Sequence, residues 1–402
     1  MKVGMGIYLA VFVCLLASGS VGCAQEKELP EPSGPHAVGT SYLLFEDRGR
    51  IDPFGADSSS TREITVRVWY PARPHKAETE PVTYLPDVEA LFGLPNVPAE
   101  LADLETHAYR DIPVCAAEEK YPVLLFNHGW GEHAAQSTFL MEELASHGYF
   151  VFSIAHHGEA KFVEYPDGSI RLLDQTNDRV RRIMAEQQNP EAIALFRSIF
   201  SARSEEEQRA VFEESSRLMP SLLVEGPEIW ADDISSVIDA LERMTRADHP
   251  FRGRLDLDKI GVFGMSMGGI ASSVVCIRDK RCAACINIDG GLYGCLLDEN
   301  CPVPVMFMNS ERYSGYEDLF LECAGTNAYC LTIEGSGHMN FSDLPFFVST
   351  LPLVGTIEQS RMQQIENAYV RAFFDKHLKE IDSGHLEGPS ETYPEVIIKI
   401  KK

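Results

Sequence analysis

The sequence predicts an α/β protein in which a mainly parallel central sheet is flanked by helices. Short apolar runs bounded by Gly and Pro alternate along the chain with segments of helical periodicity. Polar and Gly-rich residues directly follow several of these runs, where the carboxyl ends of parallel strands would lie. The chain has 402 residues, 45% of them apolar, which is enough for one large decorated domain.

The individual elements follow from periodicity and from breaking residues. Glu63 to Tyr70 alternates apolar and polar side chains, and Tyr165-Pro166-Asp167-Gly168 is typical of a hairpin turn. The predicted strands are 41–47, 63–70, 121–127, 149–154, 260–263, 283–289, 302–309, 330–334 and, at the sheet edge, 396–400. The predicted helices are 99–109, 139–147, 179–187, 192–219, 229–241 and 359–379, with another beginning at 270.

One main domain is expected over residues 41–382, followed by a tail over 383–402. Residues 177–226 are charged and helical, but their periodicity is weak. We therefore interpret them as a helical cap inserted into the main domain and not as a second catalytic domain.

The first residues predict export. Residues 1–22 have a basic start, an apolar stretch and then small residues, which is typical of a signal peptide and too short for a membrane span. Cys23 predicts a lipidated mature N-terminus that would tether the protein to a membrane. Ordinary cleavage after Ala24 stays open, because Ser20 stands where Leu is usual. Residues 23–40 are then a Pro/Glu-rich tether. The chain is expected to be a bacterial lipoprotein or a secreted or periplasmic protein.

Charge and cysteine content limit the possible partners. The formal net charge of −25 disfavours nucleic acid and anionic membrane surfaces as binding partners. An exported chain meets an oxidising compartment, so disulfides are expected, with Cys295–Cys301 and Cys323–Cys330 as local pairs. Zinc is the alternative at Cys282-x-x-Cys285, but no second pair with ligand spacing accompanies it, so neither a metal nor another cofactor is predicted.

The central motif is Gly264-Met265-Ser266-Met267-Gly268, between an apolar strand and a helix. This G-x-S-x-G pattern is that of a nucleophile elbow, in which a strained turn lifts the serine hydroxyl clear of the sheet. Close packing around the apex tolerates only small residues two positions to either side, which glycine satisfies.

A catalytic triad is predicted from residues that follow three strands. Ser266, Asp289 and His338 occur in the order nucleophile, acid, histidine, which is the order of the α/β-hydrolase fold. Main-chain N–H groups of Trp130 and Met267 are the expected oxyanion donors. The rival acids are Asp298, Asp318 and Asp343, and the rival bases are His249 and His385.

The other histidines at strand ends are not expected to be catalytic or to bind a metal. His128 is expected to hold the loop that carries Trp130. His156 and His157 are expected to line the cleft, because no carboxylate at suitable spacing completes a metal site with them.

Four stretches of the chain resemble the plasma-type platelet-activating factor acetylhydrolases and their bacterial relatives. They are Phe126 to Gly131, Gly264 to Gly269, Ile288 to Gly290 and Gly335 to Asp343, and the resemblance extends from about Val66 to Leu378. It implies an α/β-hydrolase that cleaves esters of short or oxidised acyl chains without a metal. It also implies the same triad and oxyanion donors. The insert at 177–226 and the cysteines between 276 and 330 depart from the family's pattern.

The expected activity is that of a serine carboxylic-ester hydrolase acting through an acyl-enzyme. The substrates are expected to be short-acyl esters, including sn-2 short-chain or oxidised phospholipids. One alternative is the hydrolysis of polyester or aryl-ester substrates, as in cutinases or dienelactone hydrolases. The other is a binding lipoprotein on a hydrolase scaffold, without turnover.

Overall fold

The computed structural model describes residues 29–55, 59–74, 79–86, 104–347 and 353–402. The predicted signal peptide at 1–22, the lipidation site at Cys23 and the alternative cleavage site at Ala24 lie outside these ranges. Of the predicted tether at 23–40, the last four residues belong to the first strand.

A mixed sheet of ten strands in the described ranges forms the centre of the fold, and a separate two-stranded hairpin lies beside it. The strands are β1 (Ala37–Ile51), β2 (Thr61–Ala72), β3 (Ala108–Arg110), β4 (Tyr121–Asn127), β5 (Phe150–Ala155), β6 (Phe162–Glu164), β7 (Ile170–Leu172), β8 (Leu255–Met265), β9 (Cys282–Ile288), β10 (Val305–Ser310), β11 (Ala328–Ile333) and β12 (Val396–Lys401). Their order in the large sheet is β12-β11-β10-β9-β8-β4-β5-β2-β1-β3.

The six central strands, from β11 to β5, run parallel to one another, whereas β12 and β2 pair antiparallel at the two sides. From β4 the chain first adds β5 on one side and later returns to add β8 on the other. Such a switch in strand order opens a crevice at the carboxyl ends of the strands concerned. The motifs after β4 and β8 therefore face each other across this crevice.

Helices cover both faces of the sheet. They are α1 (Thr138–Ser146), α2 (Asp178–Gln187), α3 (Pro190–Ser198), α4 (Glu205–Leu218), α5 (Gly226–Met244), α6 (Met267–Arg278), α7 (Glu317–Glu322), α8 (Leu344–Phe347) and α9 (Gln359–Lys379). Buried side chains of α5 and α6 form one core with one face of the sheet, and those of α1 and α9 form a second core on the other. This three-layer arrangement confirms the predicted α/β-hydrolase architecture. None of the helices in the described ranges is both long and apolar enough to span a bilayer.

Two predicted helices are wrong in part. The helix predicted over 99–109 falls partly on residues outside the described ranges, and Tyr109 lies in β3, which pairs with β1. The single helix predicted over 192–219 is two helices, α3 and α4. The break follows from Ser204 and Glu207, which form a capping box at the start of α4. The predicted edge strand at 396–400 is present as β12.

The cysteines do not form the two predicted pairs. All eight cysteines from Cys115 to Cys330 are free thiols in the structure. The Cys301 thiol contacts Cys285, and Cys285 also contacts Cys276 of α6, so spacing along the chain was a poor guide to spatial neighbours.

Candidate active site

Ser266 lies at the apex of the turn between β8 and α6, in a strained backbone conformation with φ 58° and ψ −124°. A Cβ on Gly264 would lie 2.5 Å from the backbone of Gly268, and a Cβ on Gly268 would lie 2.1 Å from the carbonyl oxygen of Asn127. Both glycines are therefore required by close backbone packing. The strained strand-to-helix turn that the sequence predicts around Ser266 is therefore present.

The loop after β4 packs directly against this turn. A Cβ on Gly129 would lie 3.5 Å from Cβ of Ser266. The carbonyl oxygen of Gly129 accepts hydrogen bonds from Glu132 N at 3.1 Å and from the His128 ring at 2.7 Å. Because C=O and N–H point in opposite directions across a planar peptide, these bonds also fix the direction of the Trp130 N–H. His128 thus holds the loop, as predicted.

Two main-chain donors remain free beside Ser266. Within the described ranges, neither Trp130 N nor Met267 N donates a hydrogen bond to a protein acceptor. Met267 N is the first N–H of α6, where helix geometry leaves donors without partners and favours negative charge. The arrangement can accept an oxyanion at this point.

Asp289 and His338 are joined by a hydrogen bond of 2.6 Å between Oδ2 and Nδ1. Asp289 is fully buried at the end of β9, and its other oxygen accepts from N and Oγ of Ser310, both at 2.8 Å. Arg312 pairs with Oδ2 at 3.1 Å and donates to the Asp289 carbonyl oxygen at 2.6 Å. The carboxylate is therefore held in one orientation from three sides.

These contacts set the protonation of both groups. Burial alone would raise the pKa of Asp289, but Arg312, His338 and Ser310 together lower it to about 2. Burial, and next the positive charge of Arg312, hold the pKa of His338 below its ordinary value. An ionised carboxylate beside a neutral imidazole is the state that a general base requires near neutral pH.

A cavity of about 340 Å³ opens over these groups. Ser266, Asp289 and His338 line it together with Trp130 and Met267, and most of the other lining side chains are apolar. Within the described ranges no hydrogen bond joins the Ser266 hydroxyl to the His338 ring. Catalytic contacts of this kind are often long without substrate.

The inserted helices form the roof of this cavity. Residues of α2, α3 and the π-helical turn Ser221–Glu225 line it, namely Gln187, Ala192, Ile193, Phe196, Arg197, Leu222 and Leu223. Residues of the insert at 177–226, which the sequence predicts to be a cap, therefore supply one wall of the cavity. A wall of this kind limits the length and shape of the group that can lie beside Ser266.

A buried network of polar residues lies at the carboxyl end of β5, next to the loop after β4. His156 bonds to Asp233 at 2.9 Å and to Asn127 at 3.1 Å, and its ring stacks on Trp230. The prediction that His156 lines the cleft is wrong, because it is fully buried in this network.

Among the rival acids, Asp343 instead accepts from Thr138 N at 2.6 Å and caps α1.

Sequence reasoning missed Arg312, Ser310 and Glu132. Ser310 is the last residue of β10 and Arg312 lies two residues beyond it, and β10 pairs with β9, which Asp289 directly follows. Their position at the end of a buried strand is the signal that could have found them. Glu132 stands three residues after Gly129 and also lines the cavity.

Comparisons with known proteins identify the family. The family described as "Platelet-activating factor acetylhydrolase, isoform II" matches residues 21–390. The chain belongs to this family. A platelet-activating factor acetylhydrolase of Canis lupus familiaris is 24% identical over 94% of this chain and 84% of its own length. A probable 1-alkyl-2-acetylglycerophosphocholine esterase of Arthroderma benhamiae is 25% identical over 96% of this chain and 97% of its own.

Among solved structures, a ferulic acid esterase from Streptomyces cinnamoneus is similar, with a TM-score of 0.68 and 26% sequence identity. The match covers 92% of this chain and 98% of that one. Family membership and this esterase neighbour support an ester hydrolase.

Proposed function

We propose that the chain is a serine carboxylic-ester hydrolase that acts through an acyl-enzyme on short-acyl esters. Ser266 is the proposed nucleophile, His338 the general base and acid, and Asp289 the residue that orients His338. The main-chain N–H groups of Trp130 and Met267 bind the oxyanion. The sn-2 ester of a short-chain or oxidised phospholipid is included in the proposed substrate class.

In the proposed acylation step, Nε2 of His338 removes the Ser266 proton as Oγ attacks the ester carbonyl carbon. The negative charge moves to the carbonyl oxygen, which the two N–H donors stabilise by roughly 3–4 kcal/mol each. His338 then protonates the leaving alkoxide, and the alcohol departs. Water repeats the sequence on the acyl-enzyme and releases the acid.

The observation that carries this proposal is the 2.6 Å bond between Asp289 and His338 in a cavity that Ser266 also lines. The apolar lining suits an acyl chain, and the volume of about 340 Å³ suits a short one. A binding protein without turnover would need neither the strained turn at Ser266 nor the ionised carboxylate behind the histidine.

Aryl esters are a second candidate class, because Trp130, Phe196 and Tyr293 bring aromatic rings to the cavity wall. The structural similarity to a ferulic acid esterase favours the same class. A polyester chain is less suited to this cavity, since the cap covers it.

The experiment is pre-steady-state hydrolysis of p-nitrophenyl acetate by wild type and Ser266→Ala. An acyl-enzyme that is hydrolysed more slowly than it forms predicts a burst of one p-nitrophenol per wild-type active site and none from the variant. A burst of the same size from Ser266→Ala, or turnover by that variant at the wild-type rate, would contradict Ser266 as the acylated residue. Steady-state kcat/KM then ranks the substrate classes. The substrates compared are p-nitrophenyl esters of increasing length, an sn-2 acetyl phospholipid and a methyl cinnamate.

A further inference from the structure

The proposed mechanism does not use one carboxyl group that lines the cavity. Glu132 is 9% exposed, and its side chain lines the cavity beside Trp130 and Gln136. Within the described ranges no hydrogen bond or ion pair reaches its carboxyl oxygens. Its backbone is fixed, because Glu132 N donates to Gly129 O at 3.1 Å and Glu132 O accepts from Lys161 N at 2.8 Å.

This carboxyl group is open to the cavity. Its oxygens are not among the fully enclosed, unpartnered side-chain atoms of the described residues, so a ligand in the cavity can reach them. Burial raises the pKa of Glu132 to about 7, although the positive charge of Lys161 opposes this effect. The side chain therefore lies in a setting where a bound ligand could supply the missing hydrogen bond.

Glu132 is close to the proposed nucleophile. A Cβ on Gly129 would lie 3.5 Å from Ser266 Cβ and 3.6 Å from Glu132 Cγ, so both side chains flank the same point. The neighbouring Gln136 side chain is not available to bind the same ligand group, because both ends of its amide are already hydrogen-bonded. Its Oε1 accepts from Gly129 N at 2.8 Å, and its Nε2 donates to the Met265 sulfur at 2.9 Å.

Strand order indicates which part of an ester lies next to Glu132. Ser266 follows β8, Asp289 and His338 follow β9 and β11 on one side of it, and Glu132 follows β4 on the other. The leaving alcohol must lie near His338, which protonates it. The acyl group leaves the carbonyl carbon away from the alcohol, and it therefore extends toward the β4 side, where Glu132 lies beside the proposed oxyanion donor Trp130.

We propose that Glu132 is a specificity-determining residue whose carboxyl binds a hydroxyl group on the acyl portion of the substrate. This inference rests on the proposed function and narrows it to esters of hydroxylated acids. A cationic acyl group fits less well, because Arg197 and Arg312 line the same small cavity and would repel it.

The test compares methyl esters whose acyl groups differ only by a hydroxyl in place of a methyl. The pairs are 3-hydroxybutanoate with 3-methylbutanoate, 6-hydroxyhexanoate with heptanoate, and 3-(4-hydroxyphenyl)propanoate with 3-(4-methylphenyl)propanoate. The readout is the ratio of kcat/KM within each pair, which cancels any general change in activity of a variant.

Wild type is expected to prefer the hydroxyl member of at least one pair by about 10-fold or more. Glu132→Leu is expected to abolish that preference, and Glu132→Gln, which keeps an acceptor, to retain part of it. Gln187→Leu, on the cap side of the same cavity, is the matched control and should keep the wild-type ratio.

A ratio near one in all pairs for wild type would overturn the proposal, as would an unchanged ratio in Glu132→Leu. So would a preference for 4-(trimethylammonio)butanoate over its neutral isostere 5,5-dimethylhexanoate. Failure of the proposed function is distinguishable, because wild type would then hydrolyse neither member of any pair.

Discussion

Replacing Gly268 by Ala should disable the site by moving the turn at Ser266 away from the loop that carries Trp130. The added Cβ would lie 2.1 Å from the carbonyl oxygen of Asn127 and 2.5 Å from that of His128. Both are backbone atoms at the end of β4, so no side chain can rotate away to make room. Even the shortest tolerated contact, 3.0 Å, requires β4 and the elbow to separate by about 1 Å.

That displacement has two expected consequences. Overpacking of this kind lowers the free energy of unfolding by about 1–3 kcal/mol. A misplacement of about 1 Å between Trp130 and Ser266 lowers kcat by on the order of 100-fold. The two effects arise from one shift and should appear together.

The assay is kcat for p-nitrophenyl acetate together with urea unfolding, for wild type, Gly268→Ala and Gly49→Ala. Gly49 is the matched control, because among the described residues its Cβ would meet only Asp47 Oδ1, at 3.4 Å. The kcat of Gly49→Ala should therefore not change, and its unfolding free energy should move by less than about 1 kcal/mol. If Gly268→Ala behaved like Gly49→Ala in both measurements, the packing argument for the elbow would be refuted.

Three further predictions concern the charged groups. Asp289→Asn should lower kcat by roughly 10⁴-fold, because His338 loses the charge that fixes its tautomer. The circular dichroism spectrum should not change, and a loss of kcat under tenfold would contradict this role. Arg312→Gln should move the acid limb of kcat/KM to higher pH, because removing the positive charge raises the pKa of His338; an acid limb at the same or lower pH would exclude the effect. Asp233→Leu should lower the free energy of unfolding by about 3–5 kcal/mol in urea titrations, because Arg62 is fully buried against that carboxylate at 2.6 Å; wild-type stability would show that the pair contributes little.

The parallel sheet and the elbow could be predicted because their determinants are local. Residues 260–268 combine an apolar strand with glycines at the two positions where only glycine fits, so the pattern alone indicates the turn. Asp289 and His338 follow strands whose carboxyl ends must share one edge of the sheet. Their juxtaposition then follows from strand order without any knowledge of distant contacts.

Other features depend on packing between segments far apart in the chain. The Cys285–Cys301 neighbourhood arises because β9 and β10 are adjacent, and the spacing that suggested Cys295–Cys301 contains no such information. The burial of His156 depends on Asp233 and Trp230 from α5. The break between α3 and α4 is different, since its signal, Ser204 with Glu207, was present in the sequence.

The central claim, that Ser266 is the nucleophile activated by the Asp289–His338 pair, is tested most directly by covalent labelling with an organophosphonate ester probe. Intact-mass and peptide mass spectrometry should find one adduct per folded wild-type chain, on Ser266, and none on Ser266→Ala. An adduct on a different residue, or none on folded wild type, would contradict the account.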